Sequence, residues 1–342
     1  MHLPPLTISP LPIVKMSQGS SRSAHLLSPP VTPELDYISK LVLQHGRGAN
    51  VHRVERLSGH LHRIYLLRMT DGSRLVLKMA PSTNVRLLRM ERQALNAEAT
   101  TLELLASRLR MPVPTLIKFD PHDRSLGTSY SLQTCPGGVN MSNIGRLSTS
   151  ERANIDRSLG TYFRHVSSLA AARFGPPHLV FNGSGCDTWR ESFFQMLEMT
   201  LRDGEDVLVN LPYDSIRYYT QRHGHLLDQV TEARLVLLGI TNEHNVLLDE
   251  RTRYVTGLLG LSDAVLGDPF MATAFVNPSA AFLQGYGTSP SRTSSEAVRQ
   301  LLYRVYRAVV AVVKHYYRPR SDGMELQARR ELTDALRQLA TT

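Results

Sequence analysis

The chain is poor in several residue types that usually announce a function. Of 342 residues only two are cysteine, Cys135 and Cys186, and one is tryptophan. Two cysteines do not make a disulfide framework or a cysteine zinc site. Their scarcity predicts a reduced, cytoplasmic setting. No apolar run reaches the roughly 20 residues that would span a bilayer, so no membrane partner is expected. The opening residues MHLPPLTISPLPIV lack a cationic leader and are broken by proline, which predicts no secretory signal. Aromatic residues make up only 7%, and no aromatic RNA-binding motif accompanies the basic ones.

Basic residues are in excess, and the formal net charge is +9. They are scattered, so the excess reads as a solvated surface, and no nucleic-acid partner is expected. The densest stretch is Arg86, Arg89 and Arg92, whose spacing of three predicts one exposed helical face.

Residues 1–32 are rich in Ser and Pro and read as a disordered segment. Thr32-Pro33-Glu34 then opens a helix with Leu35, Ile38, Leu41 and Val42 on one face. From Val51 the period drops toward two. Residues 51–57, 62–69 and 74–79 read as strands, the last two joined by an Asp71-Gly72 hairpin turn. A helix is expected over 86–109, ended by Pro112 and Pro114. Two further strands fit 115–119 and 129–134.

Beyond Pro136-Gly137-Gly138 the pattern is mainly helical. Ser148-x-x-Glu151, Thr188-x-x-Glu191 and Thr293-x-x-Glu296 each open a helix. Short strands fit 245–248 and 253–259, and a last helix fits 325–340. The expected fold class is α+β and bilobal. Residues 33–138 form a small lobe with a five-stranded antiparallel sheet and a hinge, and 139–342 form a larger, mainly helical lobe. The cleft between lobes is the default site for a small molecule.

This order resembles the aminoglycoside/choline phosphotransferase superfamily, relatives of protein kinases, over roughly residues 50–285. Ser58-Gly59-His60 looks like the hairpin over the phosphates. Arg74-Leu-Val-Leu-Lys78 looks like the strand-three lysine, and Asn96-Ala-Glu98 like the helix whose glutamate pairs with it. Ser131-Leu-Gln-Thr-Cys-Pro-Gly137 looks like the hinge, whose backbone would hydrogen-bond an adenine. His165 would be a packing histidine. The resemblance implies Gly59, Lys78, Glu98 and Asn245 as nucleotide-site residues and makes ATP a possible cofactor.

The same resemblance exposes two departures. Where the family has His-Gly-Asp, four residues and Asn, this chain has Leu238-Gly239-Ile240 and then Asn245. Ile240 stands at the position of the aspartate that accepts the substrate proton. Where the family has its magnesium-binding aspartate, seven residues before Gly-Asp-Pro, this chain has Gly260, followed by Gly267-Asp268-Pro269. Asp263 leaves only four residues to Gly267, so spacing argues against it as a replacement. Glu243 and His244, beside Asn245, stay open as alternative bases. Asp268 would brace the catalytic loop.

Transfer chemistry depends on charge neutralisation at the moving phosphoryl group. With no carboxylate at either position, bound Mg2+ is doubtful, and neither a catalytic residue nor a metal ligand is assigned. The expectation is a pseudokinase-like binding protein or a scaffold with a protein partner. Two alternatives remain open. One is a repurposed enzyme acting on a hydrophobic small molecule, since divergent members of the family occur in filamentous fungi, sometimes near natural-product pathways. The other is a weak ATP-dependent phosphotransferase. Restoring Asp at 240 and 260 together is expected to raise nucleotide–metal binding. The net positive charge makes aminoglycosides poor substrate candidates. Glu191, Glu198, Asp203, Glu205, Asp206 and Asp214, on the expected acceptor side, read as solvated acids.

Overall fold

A computed structural model describes residues 33–45, 48–57, 61–124, 127–288, 293–318 and 322–342. The segment 1–32, the Thr32 cap and the Ser58-Gly59-His60 hairpin lie outside the described residues.

Helix α1 (Pro33–His45) precedes strands β1 (Val51–Leu57), β2 (Arg63–Met69) and β3 (Arg74–Met79). Helix α2 (Ala94–Arg108) is inserted before β4 (Leu116–Asp123) and β5 (Thr128–Thr134). The five strands form one antiparallel sheet in the order β1-β2-β3-β5-β4. Alternation decides which face is covered. Tyr65, Leu67 and Met69 of β2 and Leu75, Leu77 and Met79 of β3 are buried together with Ile38, Leu41 and Val42 of α1. The β2–β3 turn is held by Asp71, whose carboxylate accepts the Ser73 N–H at 2.9 Å.

The large lobe contains β6 (Val139–Asn140), α3 (Thr149–Ser167), β7 (Ala170–Ala171), α4 (Pro177–Phe181), α5 (Trp189–Glu205) and α6 (Tyr213–His223). Then come β8 (Ala233–Val236), β9 (Val246–Leu248), β10 (Val255–Leu258) and β11 (Val265–Gly267). Helices α7 (Ala280–Tyr286), α8 (Ser294–Tyr317) and α9 (Asp322–Thr341) complete it. Its short strands make two three-stranded sheets, β10-β9-β6 and β11-β8-β7. The loops β8–β9 and β10–β11 therefore cross from one small sheet to the other, which anchors both of their ends. The Ser148–Glu151 capping box opens α3, the Ser148 hydroxyl accepting the Glu151 N–H. Such a cap stabilises a helix by about 1 kcal/mol. Thr188 and Thr293 cap α5 and α8 through the N–H groups of Glu191 and Glu296.

Helices α3 and α7 cross at backbone contact. A Cβ on Gly160 would lie 2.1 Å from the Phe282 carbonyl oxygen, and one on Gly285 would lie 2.0 Å from that of Arg157. Only glycine permits this approach.

Two expectations need correction. The helix foreseen over 86–109 is a 3-10 turn at Arg89–Gln93 followed by α2. The cause is tertiary: the Arg89 N–H donates to Asp203 of α5 at 2.9 Å, and its guanidinium reaches Asp203 and Asp206 at 2.6 and 2.9 Å. Arg86 and Arg92 are exposed, but Arg89 is thus a clamp between lobes and not part of one open face. Helix α2 is also rooted differently from the sheet. Leu102 and Leu105 are buried in the core of the large lobe, a cluster separate from the one under α1.

Candidate functional site

Lys78 lies in the middle of the sheet, opposite Ile64 on β2 and Ser131 on β5. Its ammonium meets the Glu98 carboxylate of α2 at 2.6 Å, with side-chain exposures of 16% and 6%. The two residues that the resemblance paired are therefore in direct contact. A buried pair of this kind stands or falls as a unit, because either partner alone would be an uncompensated charge. Gly59 lies outside the described residues.

The opposite wall is built by the β8–β9 and β10–β11 loops. Ile240 is 3% exposed and belongs to the core of the large lobe. Asn245 is fixed three ways. Its N–H donates to the Asn242 carbonyl at 2.8 Å, its carbonyl accepts the Leu259 N–H at 2.7 Å, and its amide Nδ2 donates to the Gly239 carbonyl at 3.2 Å. Gly260 has φ 70°. A Cβ built there would lie only 2.4–2.5 Å from the three terminal atoms of the Asn245 side chain. The Asn245 amide thus fills the space that a side chain at 260 would need. Acids restored at 240 and 260 would not simply meet in the cleft, since one position is core and the other is occupied.

Beyond Gly260 a 3-10 turn, Leu261–Asp263, brings a carboxylate back. Asp263 Oδ2 lies 3.4 Å from the Cβ position built on Gly239, and Asn245 Nδ2 lies 3.2 Å from the same point. Asp263 is an exposed residue, with protein atoms crowded around its carboxylate. Desolvation, reinforced by the charge of Glu98 and opposed by Lys314, pushes Asp263 up to about 6. The 260-to-267 interval, which led to the expectation that Gly260 takes the family acid's place, does not reveal that Asp263 turns toward the β8–β9 loop beyond the left-handed Gly260. The acid two residues past a Gly-Leu pair was visible; its direction was not. Among the described residues no group of three or more His, Cys, Asp or Glu could hold a metal ion.

Other nominated residues fall elsewhere. Glu243 is exposed and paired with Arg152 at 2.7 Å, and the His244 carbonyl accepts the Asn140 amide at 2.6 Å. His165 is exposed on α3 and is not a packing residue. At the segment resembling a hinge, the Cys135 N–H already donates to the Arg74 carbonyl at 3.1 Å, and Pro136 has no N–H. The Gly137 carbonyl accepts the Thr256 hydroxyl at 2.7 Å. Asp268 is buried and looks toward α8, accepting the Tyr303 hydroxyl at 2.6 Å, while Tyr303 in turn accepts the Trp189 indole N–H at 2.9 Å. It also accepts the Phe270 N–H at 3.0 Å. Of the acids expected to be solvated, Asp203 is buried against Arg89, and Glu198 and Glu205 both bind Arg217.

Among the described residues no helix is long and apolar enough to cross a membrane. A search of curated proteins finds no match. Solved structures do match. A fructosamine-3-kinase candidate from Thermobifida fusca superposes with a TM-score of 0.63 at 19% identity, covering 89% of this chain and 99% of its own. The aminoglycoside phosphotransferase APH(4)-Ia, in ternary complex with AMP-PNP and hygromycin B, gives 0.60 at 15% identity, covering 89% and 99%. The GDP and kanamycin complex of APH(2")-IIIa gives 0.56 at 13%, covering 87% and 98%. At these identities the likeness establishes the kinase-like bilobal α+β fold alone. The profile of the phosphotransferase enzyme family matches residues 53–276. All of the sheet but its first two residues, the inserted helix, the paired lysine and glutamate, and the two loops of the large lobe fall inside that span, and the chain belongs to the phosphotransferase enzyme family.

Proposed function

We propose that this protein binds a nucleotide or another small molecule in the interlobe cleft and transfers phosphate poorly or not at all. The observation that carries the reading is the floor of the cleft: Ile240 is packed into the core, and the Asn245 amide occupies the space above Gly260. Lys78, held in place by its ion pair with Glu98, is the residue that would contact the phosphates of a nucleotide. The floor does not fit a magnesium ion at the positions the family uses. It offers hydrocarbon at one and backbone at the other, whereas magnesium is normally held by one or two carboxylates besides phosphate. Losing a general base alone costs about 10² to 10⁴ in rate.

Thermal shift with ATP, with and without magnesium, tests this. The expected result is stabilisation by ATP that Lys78→Ala removes and that magnesium does not enhance. Strong magnesium-dependent stabilisation sinks the reading.

One observation favours a second reading, weak phosphoryl transfer. Asp263 faces the β8–β9 loop, and an acid pushed up to about 6 suits a proton acceptor near neutral pH. Labelled-phosphate transfer to a panel of cholines, sugar alcohols and aminoglycosides separates the two. If transfer occurs and Asp263→Asn abolishes it while ATP binding is kept, the second reading replaces the first.

A further inference from the structure

A cavity of about 470 Å³ opens where the C-terminal ends of α3 and α7 meet the start of β8. It lies at the other end of β8 from the loop that carries Ile240. Arg164 and Ser167 of α3, Arg234 of β8, Phe270, and Tyr286 of α7 line it.

Three observations make it a built site. The first is charge. Arg164 is exposed, and no hydrogen bond or ion pair holds it among the described residues. Arg234, in contrast, is neutralised by Glu232 and anchored to the Ser167 carbonyl at 2.9 Å. One positive charge is left over, and it matches one negative charge on a ligand.

The second is an orphan. The Ser167 hydroxyl is buried, in a residue only 4% exposed, and has no hydrogen-bond partner. Its neighbours on or beside the same helix are satisfied. Ser158, Thr161 and Ser168 donate to the carbonyls of Asn154, Arg157 and His165 at 2.9, 3.0 and 2.7 Å. A buried hydroxyl without a partner is costly to keep, and one that lines a cavity is placed to bond an occupant.

The third is shape. Phe270 and Tyr286 belong to a packed aromatic group, with ring centroids 4.9 and 5.2 Å from that of Phe275. The glycine crossing of α3 and α7 holds the two walls at a fixed separation. Among the described residues the cavity therefore has apolar walls, one arginine side chain without a partner and one buried hydroxyl without a partner.

We propose that this cavity is a second ligand site, for a small monoanion with an aromatic body, an aryl carboxylate being the simplest case. The ring lies against Phe270 and Tyr286, Arg164 neutralises the carboxylate, and Ser167 bonds it.

The test uses the full chain and three probes: phenylacetate, 2-phenylethanol and acetate. Titration by heteronuclear NMR should give saturable, 1:1 binding of phenylacetate in the high micromolar to millimolar range expected of so small a ligand. 2-Phenylethanol, which lacks the charge, and acetate, which lacks the ring, should each bind about tenfold more weakly or worse. Arg164→Gln should weaken phenylacetate by about tenfold without changing the fold. Ser167→Ala should raise the denaturation midpoint of the ligand-free protein and still weaken phenylacetate, a combination that a merely structural hydroxyl would not produce. The proposal is overturned by absence of saturable phenylacetate binding, by equal affinity for the three probes, or by an unchanged affinity in Arg164→Gln. A lower midpoint for ligand-free Ser167→Ala overturns it as well. Competition between phenylacetate and ATP would place the probe in the interlobe cleft and sink it too.

Discussion

The two walls of the interlobe cleft treat charge in opposite ways. On the sheet side, Lys78 and Glu98 are shielded from water and in contact at 2.6 Å. On the other side, in the β8–β9 and β10–β11 loops, Ile240 is packed into the core, and the Asn245 amide fills the space that a side chain at Gly260 would need. A buried ion pair is expensive to assemble and destabilising to break. Its presence on the sheet side, set against hydrocarbon at 240 and bare backbone at 260, teaches that one fold can shield a charge pair on one side and offer no side-chain charge at those two positions on the other.

The largest effect expected is at the floor. Ile240→Asp puts a carboxylate into the core of the large lobe and should destabilise by about 4 kcal/mol in urea denaturation. A loss under 1 kcal/mol would mean that the side chain reaches the cleft, and the contrast between walls would weaken. Glu98→Ala leaves Lys78 without its partner and should cost about 3 kcal/mol. If Lys78→Met/Glu98→Leu together recovers most of that loss, the pair serves binding more than stability.

Tyr303→Phe is predicted to cost about 1 to 2 kcal/mol, because it leaves Asp268 and the Trp189 indole each short of a partner. Calorimetry on that variant asks whether Asp268 belongs to the frame of the large lobe. An unchanged midpoint together with altered ATP binding would assign it to the floor instead.

The smallest effect, because water reaches and screens the exposed Asp263, concerns pH. Asp263 is raised from 3.8 to about 6, so the folded state binds its proton more tightly than the unfolded state. Its contribution is fully present below pH 3.8 and is lost as pH rises through about 6. Relative to Asp263→Asn, the wild type should therefore lose stability across that window and run parallel to it above. Denaturation midpoints at intervals of pH decide it, and parallel curves throughout would show an ordinary surface acid.

Much of the scaffold was legible because its signals are local. The Asp71-Gly72 turn, the alternation in β2 and β3, and the Ser148–Glu151 box each depend on residues within a few positions. The Lys78–Glu98 contact was legible through resemblance, as an ordered set of motifs. The start of α2 was not, because Arg89 is drawn away by Asp203 more than a hundred positions later. The orientation of Asp263 was hidden for a related reason. It follows from the φ of one glycine and from where the Asn245 amide rests, and neither is a property of spacing. Helix α7 was missed because seven residues are too few to display a period, and its place is set by close contact with α3.

Helix α2 carries a mechanical consequence. Its leucines are embedded in the large lobe, while its glutamate grips a lysine of the sheet. Any hinging of the lobes must then carry acid and base in different directions. A relative movement of the lobes would therefore load the Lys78–Glu98 contact first.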